Sequence, residues 1–154
     1  MSKIAFIGAG KMAEAILKEL LRAGWAQKKD VILSDIDRTR LEYMHSQYDV
    51  ETTASNPDAA RGTEIVLLAV KPQKLEDVLG GLNGVVDGDQ TVISIAMGKS
   101  TEFIEALLTG DIPVVRVMPN NPAMVGAAVS VLSFGMYAGA EARAVARDMF
   151  SCLG

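Results

Sequence analysis

Cysteine and histidine are almost missing from this 154-residue chain, which has one of each, Cys152 and His45. A single thiol excludes an intrachain disulfide, and neither residue has the companions that a zinc or iron–sulfur site needs, so no metal is expected. Such sparing use of cysteine fits a reducing, cytoplasmic compartment. Aromatic residues make up only 5% of the chain. The core must therefore be built from Ala, Val, Ile, Leu and Met, as when helices pack on a buried sheet. No apolar run approaches the ~18 residues needed to span a bilayer, so no membrane partner is expected. The opening apolar run gives way too soon to a charged amphipathic stretch to be a secretory signal. Basic residues never run beyond two in succession and the net charge is −4, which argues against nucleic acid as a partner.

What is present is an alternation of apolar runs and helical patterns, at a length that suits one domain over residues 1–154. Ile4–Ile7 is a short, fully apolar run and reads as a buried strand. Residues 31–33, 50–53, 65–70, 91–96, 114–118 and 127–132 read as further strands, with the six apolar residues of 65–70 the strongest. Between them lie helical stripes. In residues 11–23, Met12, Ile16 and Leu20 make one apolar row and Ala13, Leu17 and Leu21 the next, while Lys11, Glu14, Lys18 and Arg22 fall on the other side, with Glu14 spaced to pair with Lys18. Leu41, Met44 and Tyr48 mark a second helix. Asn56 reads as an N-cap before a first-turn Pro57. Leu75, Val78, Leu79 and Leu82 mark another helix, followed by glycine-rich turns through Gly88. Ser100 can cap a helix carrying Phe103, Ile104, Leu107 and Leu108, and residues 140–153 suit a last one. Strands alternating with helices predict βαβ units: an α/β, Rossmann-type doubly wound, mostly parallel sheet with helices on both faces.

Gly8, Ala9, Gly10, Lys11, Met12 and Ala13 match G-x-G-x-x-G/A. The match directly follows the first strand and opens the first helix, which is the context the motif requires. Gly8 permits a tight turn, Gly10 lets backbone approach a pyrophosphate, and small Ala13 lets helix and strand pack closely. Free N–H groups and the helix dipole then face an anion. Asp35, just past the second strand, is placed to hold a ribose 2′-hydroxyl, although a turn or helix-cap role is open to it and to Asp37. A carboxylate there favours NAD over NADP, but Arg38 and Arg40 are near enough to bind a 2′-phosphate. Two further segments leave strands at the edge where open α/β sheets bind ligands: Ala69-Val70-Lys71-Pro72 and Met118-Pro119-Asn120. Lys71 could neutralise a phosphate or carboxylate there, or simply be solvated. His45 reads as a solvated surface residue and Cys152 as a small core residue.

Taken in order, Ile7-Gly-Ala-Gly-Lys-Met-Ala13, Ala69-Val-Lys-Pro-Gln73, Ser94-Ile-Ala96 and Val115-Arg-Val-Met-Pro-Asn120 resemble pyrroline-5-carboxylate reductase over essentially the whole chain. The resemblance implies an oxidoreductase of proline biosynthesis that moves hydride from NADPH or NADH to the C=N bond of a cyclic imino acid. It implies that residues 8–13 hold the pyrophosphate, that Ser34 and Asp35 face the adenine ribose, and that Asn56 lies beside the adenosine. Ala69, Val70, Lys71, Pro72, Ile95, Ala96 and Met97 would line the path to the nicotinamide, with Pro119 and Asn120 near the substrate. Asp35-Ile36 stands where many members have Asn-Arg, which leans the cofactor from NADP towards NAD. Asn121 stands where members usually have Thr. Members also continue into a helical domain that forms a homo-oligomer and completes the substrate site. The resemblance thus implies that this chain is the cofactor half, with no catalytic residue of its own and little activity alone. Left open are another NAD(P)-dependent dehydrogenase, such as a β-hydroxyacid dehydrogenase or an F420-dependent reductase, and a non-catalytic dinucleotide-binding module.

Overall fold

The apolar runs lie side by side. A computed structural model describes residues 3–119 and 130–153 of the chain. Within them β1 (Ile4–Ile7), β2 (Val31–Ser34), β3 (Glu51–Thr53), β4 (Ile65–Leu68), β5 (Thr91–Ser94), β6 (Val114–Pro119) and β7 (Ser130–Phe134) form one sheet in the order β3-β2-β1-β4-β5-β6-β7. Neighbours pair parallel, except β7, which runs antiparallel to β6. The helices are α1 (Lys11–Arg22), α2 (Arg38–Tyr48), α3 (Asn56–Ala60), α4 (Leu75–Leu82), α5 (Thr101–Leu107) and α6 (Ala140–Ser151).

Every residue of β1 and β4 is buried. Strands covered on both faces read as continuous apolar runs, which is why these two stand out in the sequence. Ile4 and Phe6 of β1 join a core with residues of α1, α2 and α6. Ala5 and Ile7 point the other way, into a core with α3, α4 and α5. Two helical layers thus sandwich the sheet. The strand order reverses between β1 and β4, which opens a crevice at the carboxyl ends of those strands.

Several local readings change, and the strand expected over 91–96 stops at Ser94. The expected strand 65–70 stops at Leu68, because Ala69 and Val70 leave the ladder to form the crevice wall. The helix marked by Leu75, Val78, Leu79 and Leu82 spans Leu75–Leu82 as expected, and so runs through Gly80 and Gly81. Glycine costs about 1 kcal/mol in a helix interior, but Leu75, Leu79 and Leu82 are all buried to within 1%, and burying one such side chain returns about 1.5–3 kcal/mol. The cap of α3 is Ser55, whose side chain accepts from the Asp58 N–H at 3.2 Å, so Asn56 is the first helical residue and its side chain is released for other use. Glu14 does not pair with Lys18. It turns towards α2 and meets Arg40 at 2.6 Å. The last strand begins at Ser130, and residues 127–129 of its expected span lie outside the described residues.

Candidate functional site

The turn between β1 and α1 contains two glycines held for different reasons. Gly8 has φ +105°, and a Cβ there would sit 2.6 Å from the Ala69 carbonyl oxygen. Its N–H donates to the Ser34 carbonyl at 2.8 Å. Neither the backbone angle nor the space allows a side chain, so the fold itself demands glycine. Gly10 is the N-cap of α1 with φ −78° and ψ −170°, a region open to any residue. A Cβ there would meet nothing within 4 Å. The fold does not require glycine at position 10, and the space in front of it is open.

That space is a cleft of about 330 Å³. Gly10, Lys11, Met12 and Ala13 line it from the start of α1. Ala69, Val70, Lys71 and Pro72 line it past β4, Ile95, Ala96 and Met97 past β5, and Met118 from β6. The glycine turn, the Ala69–Pro72 segment and the Ile95–Met97 segment therefore meet in one place, with Met118 beside them. They do so because parallel strands all end at the same edge of the sheet. A larger hollow of about 510 Å³ lies at the opposite edge, where Glu64, Gln90 and Pro113 precede their strands. Size does not decide between them. Ligands of open α/β sheets bind outside the carboxyl ends of the strands, at the switch point.

Ser34 is fully buried, and its hydroxyl donates to Asn56 Oδ1 at 2.6 Å. It braces Asn56 and does not reach the open side itself. Asp35 is half-buried beside the turn. One carboxylate oxygen accepts from the Ala9 N–H at 2.8 Å and the other from the Asp37 N–H at 2.9 Å. Asp37 caps α2 by accepting from the Arg40 N–H, so the two aspartates divide the roles open to them. Ile36 next to Asp35 is 89% exposed. Arg38 is exposed. Arg40 is not free: its Nε donates to the Ala9 carbonyl, and its Nη2 donates to the Gly10 carbonyl at 3.2 Å and to Glu14 Oε1 at 2.6 Å. Its guanidinium lies over the Tyr43 ring at 4.9 Å.

Glu14 is the hub of this cluster, accepting also from the Tyr43 hydroxyl at 2.9 Å and from the Tyr48 hydroxyl. Burial pushes its pKa up, but the hydrogen bonds from Tyr48, Arg40 and Tyr43 outweigh it and hold the carboxyl below its ordinary value. Burial, then the bond to Glu14, raises the Tyr48 phenol well above its own. This cluster escaped the sequence reading. Its one sign there is an acidic residue on the polar side of the helix that the glycine turn opens.

Lys71 is exposed on the cleft wall. The backbone of Pro119 ends β6, and Asn120 lies outside the described residues. His45 is exposed on α2, with its ring Nδ1 at 2.9 Å from the Val50 carbonyl. Cys152 is half-buried, and burial followed by the charge of Asp148 raises its thiol pKa. Neither lines the cleft. Among the described residues no group of His, Cys, Asp or Glu could hold a metal ion, and no helix is long and apolar enough to cross a membrane.

Strand order, switch point and glycine turn together define a Rossmann-type nucleotide-binding domain. A family model described as "NADP oxidoreductase coenzyme F420-dependent" matches residues 3–98, and the chain belongs to that family. Over 153 residues it is 33% identical to pyrroline-5-carboxylate reductase 1 of Bacillus subtilis, covering 99% of this chain and 52% of that protein. The solved structure of a pyrroline-5-carboxylate reductase from Coxiella burnetii superposes with a TM-score of 0.94 at 29% identity, covering 99% of this chain and 57% of the other. A Plasmodium falciparum pyrroline carboxylate reductase, solved with NADP bound, shares the fold at a TM-score of 0.85 and 23% identity, over 99% of this chain and 55% of that one. The chain spans about half the length of the relatives it matches.

Proposed function

We propose that this chain is the cofactor-binding domain of a reductase that reduces 1-pyrroline-5-carboxylate to proline with NAD(P)H. One observation carries the reading. The glycine turn, the Ala69–Pro72 segment and the Ile95–Met97 segment converge on a single cleft at the switch point, in a chain aligned almost end to end with relatives named for that reaction.

The residues present fit a dinucleotide. The open space before Gly10 admits a pyrophosphate at the start of α1, with Glu14 drawn aside to α2. Asp35, at the end of β2, is placed for the adenine ribose, with Asn56 beside the adenosine. Ala69, Val70, Lys71 and Pro72, with Ile95, Ala96 and Met97, form the walls towards the nicotinamide. When bound, the nicotinamide supplies the hydride. The residues of this chain bind, orient and shield it. Holding the imino-acid carboxylate, protonating the nitrogen and forming the homo-oligomer fall to the part of the protein that the relatives have beyond this span. Residues 1–154 then constitute one dinucleotide-binding domain.

The reading favours NADH. The Asp35 carboxylate repels a 2′-phosphate, and the turn already holds Arg40. The family is named for NADP and the Plasmodium structure holds NADP, so the two cofactors must be titrated separately, following nicotinamide fluorescence. Saturable binding of both, tighter for NADH, is the expected result. Tighter NADPH binding would transfer the ribose site to Arg38, and no binding of either would refute the dinucleotide reading. Fused to the part of the Bacillus relative that it does not span, the chain should support pyrroline-5-carboxylate-dependent oxidation of the cofactor. Turnover of a β-hydroxyacid or of coenzyme F420 instead would place the protein elsewhere in its family.

A further inference from the structure

We infer that Arg40 is a positioning residue for the dinucleotide turn: by holding the Ala9 carbonyl on the α2 side, it aims the Gly10 N–H into the cleft. The inference rests on the dinucleotide reading above and adds to it a residue that does not itself touch the ligand.

The argument begins with one peptide unit. In a trans peptide the carbonyl of one residue and the N–H of the next point in opposite directions, and the described residues contain no cis bond. The unit joining Ala9 to Gly10 therefore has one choice to make. With its carbonyl towards α2, its N–H faces the other side, where Gly10 and Lys11 line the cleft. Nothing intrinsic to the turn makes that choice strongly. Gly10 lacks a Cβ, and glycine lets an adjacent peptide rotate at little cost. An unbraced turn would spend part of its time with a carbonyl oxygen facing the pyrophosphate, and two oxygens repel.

Arg40 removes that freedom. Its Nε donates to the Ala9 carbonyl, and its Nη2 anchors the fork on the Gly10 carbonyl, which α1 already fixes through the Glu14 N–H at 3.0 Å. On the other side of Ala9, the Asp35 carboxylate holds the Ala9 N–H. The Ala9 residue is thus pinned at both its amide and its carbonyl. The fork is itself kept in place, since Nη2 also reaches Glu14, and Glu14 accepts from Tyr43 and Tyr48. Its side chain is about three-quarters buried, where charge-assisted bonds are less weakened by water. A guanidinium committed in this way is spent on shaping the turn. A ligand that shares the pyrophosphate benefits whether or not it carries a 2′-phosphate.

That last point gives the test. The chain, its Arg40→Met variant and its Arg40→Lys variant are titrated calorimetrically with NADH and with NADPH, and each is melted thermally. Arg40→Met should weaken both dinucleotides by the same factor, roughly 10- to 100-fold, the effect of losing one to two charge-assisted bonds. Arg40→Lys, which keeps a donor for the Ala9 carbonyl, should recover part of the loss. Hydrogen exchange on the ligand-free protein should show the Ala9 amide, which donates to Asp35, less protected in Arg40→Met, with the strands unchanged. A loss confined to NADPH would overturn the inference and make Arg40 a 2′-phosphate ligand. Unchanged affinities in Arg40→Met would overturn it too. So would a Lys variant that binds as poorly as Met and melts equally low, because the residue would then serve stability alone. If the unsubstituted chain binds neither dinucleotide, the reading beneath the inference fails, an outcome visible before any variant is compared.

Discussion

Two substitutions two residues apart should separate folding from binding. Gly8→Ala places a methyl 2.6 Å from the Ala69 carbonyl oxygen and 3.3 Å from Val70 Cγ1, at φ +105°. A non-glycine residue in such a backbone region costs about 1–3 kcal/mol, and overpacking against fixed backbone adds about as much. A total near 3 kcal/mol lowers Tm by roughly 6–12 °C in a domain of this size. Gly10→Ser behaves differently. Its side chain enters open space, and serine is at least as good an N-cap as glycine, so Tm should hold or rise slightly. The same side chain occupies the approach of the pyrophosphate. Displacing it from two charge-assisted N–H bonds costs at least ~3 kcal/mol, which is more than a 100-fold rise in Kd. Thermal melts followed by circular dichroism and titrations with NADH measure both quantities on the same samples. If Gly10→Ser binds like the parent, the pyrophosphate does not lie before α1. If it melts as low as Gly8→Ala, the fold itself needs glycine at position 10 and the argument from open space fails.

Other outcomes follow from the cluster and the ribose end. Asp35→Asn removes the charge proposed to face the ribose, and the NADPH-to-NADH affinity ratio should rise about tenfold, the scale of charges a few ångströms apart in a solvated site; an unchanged ratio would remove Asp35 from cofactor choice. Glu14 has a folded pKa below its ordinary value, so its contribution to stability is complete above pH ~4.5 and is lost as pH falls through the depressed value. A Glu14→Gln variant should therefore melt lower than the parent at neutral pH and converge with it in acid, as thermal melts across that range would show. Tyr48 has the opposite sign: its raised pKa adds stability that is complete below pH ~10 and is lost as pH climbs through the folded value, and Tyr48→Phe should flatten that alkaline limb. The Cys152 thiol, half-buried and raised, should react with iodoacetamide at pH 8 more slowly than a free cysteine does.

The sheet was largely legible because its central strands are covered on both faces. Ile4–Ile7 and Ile65–Leu68 are apolar at every position, a pattern that needs no knowledge of partners. The cleft was legible for a related reason. Once strands are parallel, their carboxyl ends share an edge, so residues 8–13, 69–72 and 95–97 had to be neighbours. What stayed hidden depends on which long side chains meet across elements. Glu14 had a suitable partner four residues on in Lys18, and helical spacing alone cannot show that Arg40 wins the competition by also reaching two carbonyls of the turn. Arg40 was read as a possible phosphate ligand because it lies close in sequence to Asp35, whereas its direction is set by α2. The path of α4 through Gly80 and Gly81 was legible from its leucine row, because burial of that row outweighs the local propensity of glycine.

Placing β1 at the centre of the sheet also has a consequence for how the chain is made. β1 leaves the ribosome before the other described strands, yet its two neighbours are β2 and β4, with Ile4 set against both Val31 and Ile65. At ~5–20 residues per second, the roughly 60 residues separating Ile4 from Ile65 take about 3–12 s to synthesise. Throughout that interval a fully apolar strand waits with one edge unpaired. A chain stalled or cut between β3 and β4 would present that edge to solvent and to other copies of itself, and nascent chains halted there should be the most dependent on chaperones.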